Sequence, residues 1–262
     1  MIKIYRGLTM TVLLNRKTIC VLGAALILFV AGTALAFAQD EKPPEGWTGD
    51  ASLSIGLTRG NSETTTLALS LNLKKEWGGA WSVEDAGSFM LTRISGETTA
   101  ENMGLTSRIK HKTSARLFLF GEIQALRDRF KDYDYRFLPQ VGAGWAVLKS
   151  EAVSLELSTG LTQVFTKYHL SKTKDSYTGL AIGNKWTWKI SGSADLQESL
   201  SLHADFSDFS RYFMRLEVSL TSALTKLLAV KLSLIDSYDN KPAAAGIKKN
   251  DLAFLAGLSA KF

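Results

Sequence analysis

Cysteine, proline and histidine are scarce in this chain, at one, four and three residues among 262, and each scarcity removes a class of protein. The lone Cys20 stands at the start of an apolar run. It has no partner for a disulfide within the chain, it is not placed after the run as an acylated lipoprotein cysteine would be, and it builds no thiolate metal site. His111 lies at a short-turn end, His169 in a loop and His203 in a strand pattern, so the histidines lack the spacing of a metal centre. Also missing is any stretch with apolar residues at i, i+3, i+4 and i+7 over three turns, which excludes amphipathic helices as building elements.

An excess of one charge is missing too, once the front of the chain is set aside. Lys3, Arg6, Arg16 and Lys17 precede an apolar run from Ile19 to Leu35, which exits through Ala36, Phe37 and Ala38. That pattern is a secretory signal peptide with an A-x-A cleavage site, and residues 1–38 are expected to be removed. Removal takes four of the 31 basic residues and no acidic one, leaving 27 against 25. A near-neutral mature chain without a basic stripe gives no support to nucleic-acid binding. Residues 39–45, with Pro43 and Pro44, read as a periplasmic N-terminal linker, and residues 46–262 as one domain.

What the domain has in abundance is alternation. In TLALSLNLKKEW, Leu67, Leu69, Leu71 and Leu73 share one face, with Ala68, Ser70, Asn72 and Lys74 on the other; MRLEVSL repeats the pattern with Met214, Leu216, Val218 and Leu220. Turn signals cut the domain into strands near 47–58, 64–77, 81–93, 102–112, 116–130, 136–148, 153–166, 177–190, 195–206, 212–222, 227–238 and 250–262. Short connections such as GGA, KSEA and SGSA alternate with longer polar ones such as FKDYDY, TKYHLSKTKDS and DNKPAAAGIKK. At roughly 3.3 Å per residue and a tilt near 40°, eleven residues climb about 27 Å, the height of an outer-membrane apolar band.

All six tryptophans fall near the short-turn end, and the six mature tyrosines, Tyr133, Tyr135, Tyr168, Tyr177, Tyr212 and Tyr238, near the loop end, as two interfacial girdles would. The expected fold is all-β: a closed antiparallel transmembrane β-barrel of twelve strands in the cell outer membrane, both termini periplasmic. The alternative is a secreted lipid-carrying barrel with its apolar face inward. Against it, that many long apolar faces would overfill a soluble interior. Closure also explains a chain that ends within a strand: the last strand pairs with the first, and Phe262 shares the outward face of Leu252, Phe254 and Leu258. Phe262 is therefore the candidate assembly signal, read by the barrel-assembly machinery.

Three stretches, GLTRGNSETTTLALSLNLKKEW, DRFKDYDYRFLPQVGAGWAV and DNKPAAAGIKKNDLAFLAGLSAKF, resemble the salt-induced outer membrane protein family, a domain of unknown function in Gram-negative outer membranes. The resemblance implies location and fold, and a link to salt or osmotic conditions. It brings no substrate, reaction or catalytic residue.

The inward face is expected to carry Lys74, Arg108, Lys110, Arg136, Lys185, Arg215, Lys231 and Lys261 against Glu122, Glu156, Asp205, Glu217 and Asp251, with Gln124, Gln140 and His203 among them. Such a lumen reads as a narrow passive channel with a mild preference for small anionic or neutral solutes. The alternatives are a closed structural or envelope-stress barrel, whose side chains pair across it, and, less favoured, an outer-membrane lipid hydrolase. The hydrolase would need His203 to act with Asp205 and a serine such as Ser199 or Ser201, yet these face the lumen and not the lipid. No catalytic residue, metal or cofactor is expected. GAGWAVLKS, Gly142 to Ser150, lacks the second glycine of a phosphate loop and sits in a strand. Asp132 and Asp134 could hold Ca²⁺ or bridge lipopolysaccharide through a divalent ion, but an ordinary solvated loop is the favoured account of them. Expected partners are outer-membrane lipid and lipopolysaccharide. Asp85, Gln163 and Asn184 fall on the outward face, which predicts a bulge or a shifted strand end at each.

Overall fold

Residues with branched or long apolar side chains at every second position gain nothing as a helix, but as strands they sort two solvents onto two faces. The computed structural model describes residues 46–58, 64–94, 97–128, 131–244 and 246–262. The signal peptide and the linker expected at 1–38 and 39–45 lie outside the described residues.

Twelve strands run in chain order among the described residues: β1 Trp47–Thr58, β2 Thr64–Trp77, β3 Trp81–Ile94, β4 Glu97–Lys112, β5 Leu117–Asp128, β6 Tyr133–Lys149, β7 Val153–Tyr168, β8 Lys174–Lys189, β9 Ala194–Asp205, β10 Tyr212–Ala223, β11 Leu228–Asp239 and β12 Asn250–Lys261. Each pairs antiparallel with its chain neighbours, and β12 pairs with β1, closing the barrel. Closure extends to the last residue: Gly49 N–H donates to Phe262 O at 2.8 Å, and Phe262 N–H donates to Gly49 O at 3.0 Å. No sheet edge is left to satisfy.

The strands are longer at the loop end than the alternation alone indicates. β4 starts at Glu97, within the expected ISGETTAE loop, and β6 and β8 start at Tyr133 and Lys174. The polar composition there concealed pairing that a bulge at Thr92/Arg93 and others at Leu126/Asp128 and Tyr133/Tyr135 accommodate.

Following paired residues around the barrel assigns the faces. Ser52, Ser70 and Ser88 lie in one inward row, and Leu53, Leu69 and Phe89 in an adjacent outward one. Leu105, Val141, Leu161, Leu252 and Phe254 are among the exposed apolar residues of the outer face. All six tryptophans fall on that face. The tyrosines divide: Tyr135, Tyr212 and Tyr238 share the outer parity, whereas Tyr133, Tyr168 and Tyr177 share the inner one. The tyrosine girdle is therefore half what the sequence indicates, because nearness to a strand end does not determine the face.

Asp85, Gln163 and Asn184 do face outward, and no register shift occurs at any of them. This corrects the expected bulges. Each side chain instead has a lateral hydrogen bond on the same face: Ser107 Oγ donates to Asp85 at 2.6 Å, Thr178 Oγ1 to Gln163 at 2.6 Å, and Asn184 Nδ2 to Glu198 at 3.2 Å, while Asn184 Oδ1 has no partner among the described residues. A lateral pair lowers the cost of placing each group in hydrocarbon.

Candidate functional site: the barrel lumen

The cross-strand register turns all thirteen lumen candidates inward. It also turns inward Asp50, Glu76, Glu84, Asp128, Asp175, Asp195 and Asp239, against Lys112, Lys149 and Lys189. The expected excess of basic groups disappears, and with it the basis for an anion preference. Glu84 and Asp239 were the costliest omissions, because both are partners of the basic residues that span the lumen.

Near the short-turn end Lys110, which is buried, lies 3.0 Å from Glu84 on β3 and 2.8 Å from Glu156 on β7. Lys185 on β8 meets the same Glu84 at 3.4 Å. β3 and β8 are five strands apart around a twelve-strand ring, so this contact crosses the lumen. One level further in, Arg108 Nε and the amides of Gln124 and Gln140 all donate to Glu122. Near the loop end Arg136 on β6 reaches Asp239 on β11 at 3.6 Å, again five strands away. Above it Lys131 stretches from the β5–β6 connection to Asp251 at 3.1 Å and to Ser237 O at 3.2 Å. The lumen is thus bridged at two heights with a buried polar cluster between them.

Aromatic rings seat these cations. Arg108 lies 4.7 Å from the centroid of Phe120, Lys110 5.1 Å from Phe118, and Arg136 4.5 Å from Tyr133 and 4.6 Å from Phe213. A desolvated cation on a ring face gains about 2 kcal/mol or more. Phe118 can lie flat on the wall because Gly144 stands under it; a Cβ there would run into the ring. The glycines of GAGWAV are therefore seats for inward aromatics, not parts of a phosphate loop.

His203 is 2% exposed and stacks on Phe213, with centroids 4.8 Å apart and planes at 17°. Neither ring nitrogen has a hydrogen-bond partner among the described residues. Asp205 does not join it: its carboxylate accepts from Ser207 N at 2.8 Å and Ser207 Oγ at 2.7 Å, and lies 3.7 Å from Arg211. The relay a hydrolase would require is not assembled at this histidine. Arg215 and Glu217 pair with each other at 3.5 Å, Lys261 meets Asp195 at 3.4 Å, and Lys74 meets Glu76 at 2.7 Å, while Lys231 faces inward beside Thr221 and Gly257.

Asp132 and Asp134 also have protein partners. Asp132, at φ 65°, accepts Leu170 N–H on its carboxylate at 2.6 Å and His169 N–H on its carbonyl at 2.9 Å; Asp134 meets His169 Nδ1 at 2.5 Å and Lys172 at 3.6 Å. Asp132 in the β5–β6 connection and Asp134 at the start of β6 thus both hold the β7–β8 connection. No group of three or more His, Cys, Asp or Glu suited to a metal ion occurs among the described residues.

A closed, polar-lined barrel of twelve strands with tight turns at one end and loops at the other has the architecture of outer-membrane β-barrels. The chain belongs to the family described as a protein of unknown function, DUF481, whose model matches residues 51–262. Its fold is similar to that of the NanC porin, at 12% identity and a TM-score of 0.50, over 81% of this chain and 100% of that one. It is likewise similar to the COG4313 outer membrane channel from Pseudomonas putida F1, at 12% identity and a TM-score of 0.50, over 86% and 97% of the two chains. No curated protein matches the chain significantly.

Proposed function

We propose that the protein resides in the outer membrane, with the short-turn end and both termini periplasmic after cleavage behind Ala38, and acts there as a narrow passive channel for small polar solutes. The observation that carries this reading is the kind of closure the lumen has. Arg136–Asp239 and Lys185–Glu84 are single side-chain contacts across a polar interior, which water and small solutes can replace. Paired charges of both signs favour weak selectivity, so no strong anion preference is expected. The similar folds of two channels support the reading, as does the unassembled relay at His203, and no catalytic role is assigned. A contribution under salt or osmotic stress, implied by the family resemblance, is part of the same proposal; unaltered growth in high salt of a strain lacking the protein would remove it.

A second reading, a closed structural barrel, is favoured by Leu138 and Val164, both inward and 0% exposed. Planar-bilayer recording in a salt gradient separates the two. A channel gives small unitary steps with a reversal potential near zero, and Lys185→Gln with Glu84→Gln raises the conductance about twofold by widening the constriction. Silence from both wild type and this double variant would establish the closed barrel.

A further inference from the structure

The outer face of β5 to β8 carries a row of cations at its loop end. Lys167 on β7 and Lys174 on β8 are direct cross-strand partners, and Tyr135 on β6 is the partner of Lys167 on its other side. Arg127 on β5 completes the row, at the bulge between Leu126↔Arg136 and Asp128↔Tyr133. Each shares the parity of an exposed apolar residue of its own strand, Ile123, Phe137, Phe165 and Ile182 in turn. Like charges directly opposite each other on one sheet face are destabilising. The protein offsets them poorly. Asp134 lies 3.8 Å from Lys167 but is shared with His169 at 2.5 Å and Lys172 at 3.6 Å. Arg127 and Lys174 are exposed and have no ion-pair partner among the described residues. At the corresponding ends of β10, β11 and β12 the outward residues are Tyr212, Tyr238 and Asn250, which bear no charge.

Height and length say what anion these cations meet. On β7 the outward residues run from Leu155 to Phe165 before Lys167. At roughly 3.3 Å per residue and a tilt near 40°, that stretch climbs about 25 Å, the full apolar band, so Lys167 stands in the headgroup layer. Directly below it the rings of Phe137 and Phe165 pair on the outer wall, with centroids 6.5 Å apart. Cations over an apolar wall fit the anionic head of a lipid rather than a soluble anion. From β5 to β8 the row crosses three strand spacings, about 14 Å. A headgroup with one phosphate reaches one pair of these cations; a saccharide with phosphates at separate positions reaches from Arg127 to Lys174. We infer that the row binds the phosphates of a multiply phosphorylated saccharide lipid, one phosphate at Arg127 and another between Lys167 and Lys174, where it relieves the like-charge pair. The contacts are charge-assisted hydrogen bonds from the side chains themselves and need no divalent ion. The inference rests on the outer-membrane placement proposed above, with the loop end outward.

The test is native mass spectrometry of the mature barrel released from dimyristoylphosphatidylcholine nanodiscs, doped in turn with diphosphorylated lipid A, its dephosphorylated form and dimyristoylphosphatidylglycerol. Diphosphorylated lipid A should be retained well above phosphatidylglycerol, and the dephosphorylated form no better than phosphatidylcholine. Arg127→Gln with Lys174→Gln should reduce retention of the diphosphorylated lipid about tenfold. Arg116→Gln with Lys226→Gln, the same loss of charge at exposed positions in the short turns, should leave it unchanged. Equal retention by wild type and the first double variant, an equal loss in the second, or phosphatidylglycerol held as well as lipid A would overturn the inference. Placement is read separately. Cys20 leaves with the signal peptide, so Ser171→Cys in the β7–β8 connection gives the mature chain a single thiol. A membrane-impermeant maleimide should label it on intact cells; labelling only after lysis would defeat the placement and leave the lipid result standing.

Discussion

The inner wall of this barrel has two unlike sectors. Over β4 to β8 it carries Arg108, Lys110, Phe118, Phe120, Glu122, Arg136 and Glu156, large groups locked in ion pairs and ring contacts. From β10 through β12 and β1 to β3 small hydroxyls, Ser219, Ser233, Ser259, Ser52, Ser70 and Ser88, stand between the charged groups of those strands, in ladders such as Ser52–Ser70 at 2.6 Å. Both sectors obey the same period-two alternation and both read as polar from the sequence. The sectors differ in side-chain volume: ring-seated ion pairs crowd one, and in the other small residues let the β12 and β1 backbones approach closely.

Breaking the small-residue sector should have the largest effect. A Cβ on Gly257 would meet Leu53 O, and Ser54 Cα at 2.5 Å, both backbone atoms of β1. Gly257→Val should therefore prevent β12 from pairing with β1 and leave no heat-modifiable barrel in the membrane fraction. Phe262→Glu should reduce barrel yield less completely, because its backbone bonds to Gly49 survive while a charge replaces an outward ring. Wild-type levels of folded Gly257→Val would show that closure does not depend on close backbone approach in this sector.

Breaking the filled sector should cost stability and leave topology intact. Glu122 accepts from Arg108, Gln124 and Gln140, and its side chain is almost wholly buried. Glu122→Gln leaves Arg108 uncompensated, at a cost of about 3–5 kcal/mol, whereas Glu122→Leu with Arg108→Leu should be far less damaging. Urea unfolding in detergent micelles reads the difference. Equal losses for the single and double variants would mean that packing, and not charge pairing, holds this sector together.

The same contrast accounts for what was legible beforehand. Alternation carries the strand count, the outward tryptophans and the inward placement of His203 and Arg136, because parity within one strand is a local property. Pairing across the lumen is not local. Arg136 and Asp239 are joined only through closure and tilt of the whole ring, which no single-strand pattern contains. Tyr133 and Tyr177 were misread as girdle residues for a related reason: residue type suggests a depth in the membrane, and only register assigns a face.

The loop end offers the mildest test, because it lies beyond both sectors. Asp208, in the β9–β10 connection, has its carboxyl held down to about 2, from 3.8, first by the hydrogen bond from Lys241 and then by those from Ser210. A depressed carboxylate contributes to stability above its unfolded value, and the contribution is lost as pH falls from about 4 through about 2. The group is fully exposed, so global stability should scarcely change and the response should stay within the two connections that the pair joins. A carboxyl titration followed by NMR should place the Asp208 midpoint near 2 in the wild type and closer to 3.8 in Lys241→Met. An unchanged midpoint would mean that Ser210 alone holds the carboxylate, leaving Asn240, whose amide donates to Ser210 O at 2.8 Å, as the side-chain link between the β9–β10 and β11–β12 connections among the described residues.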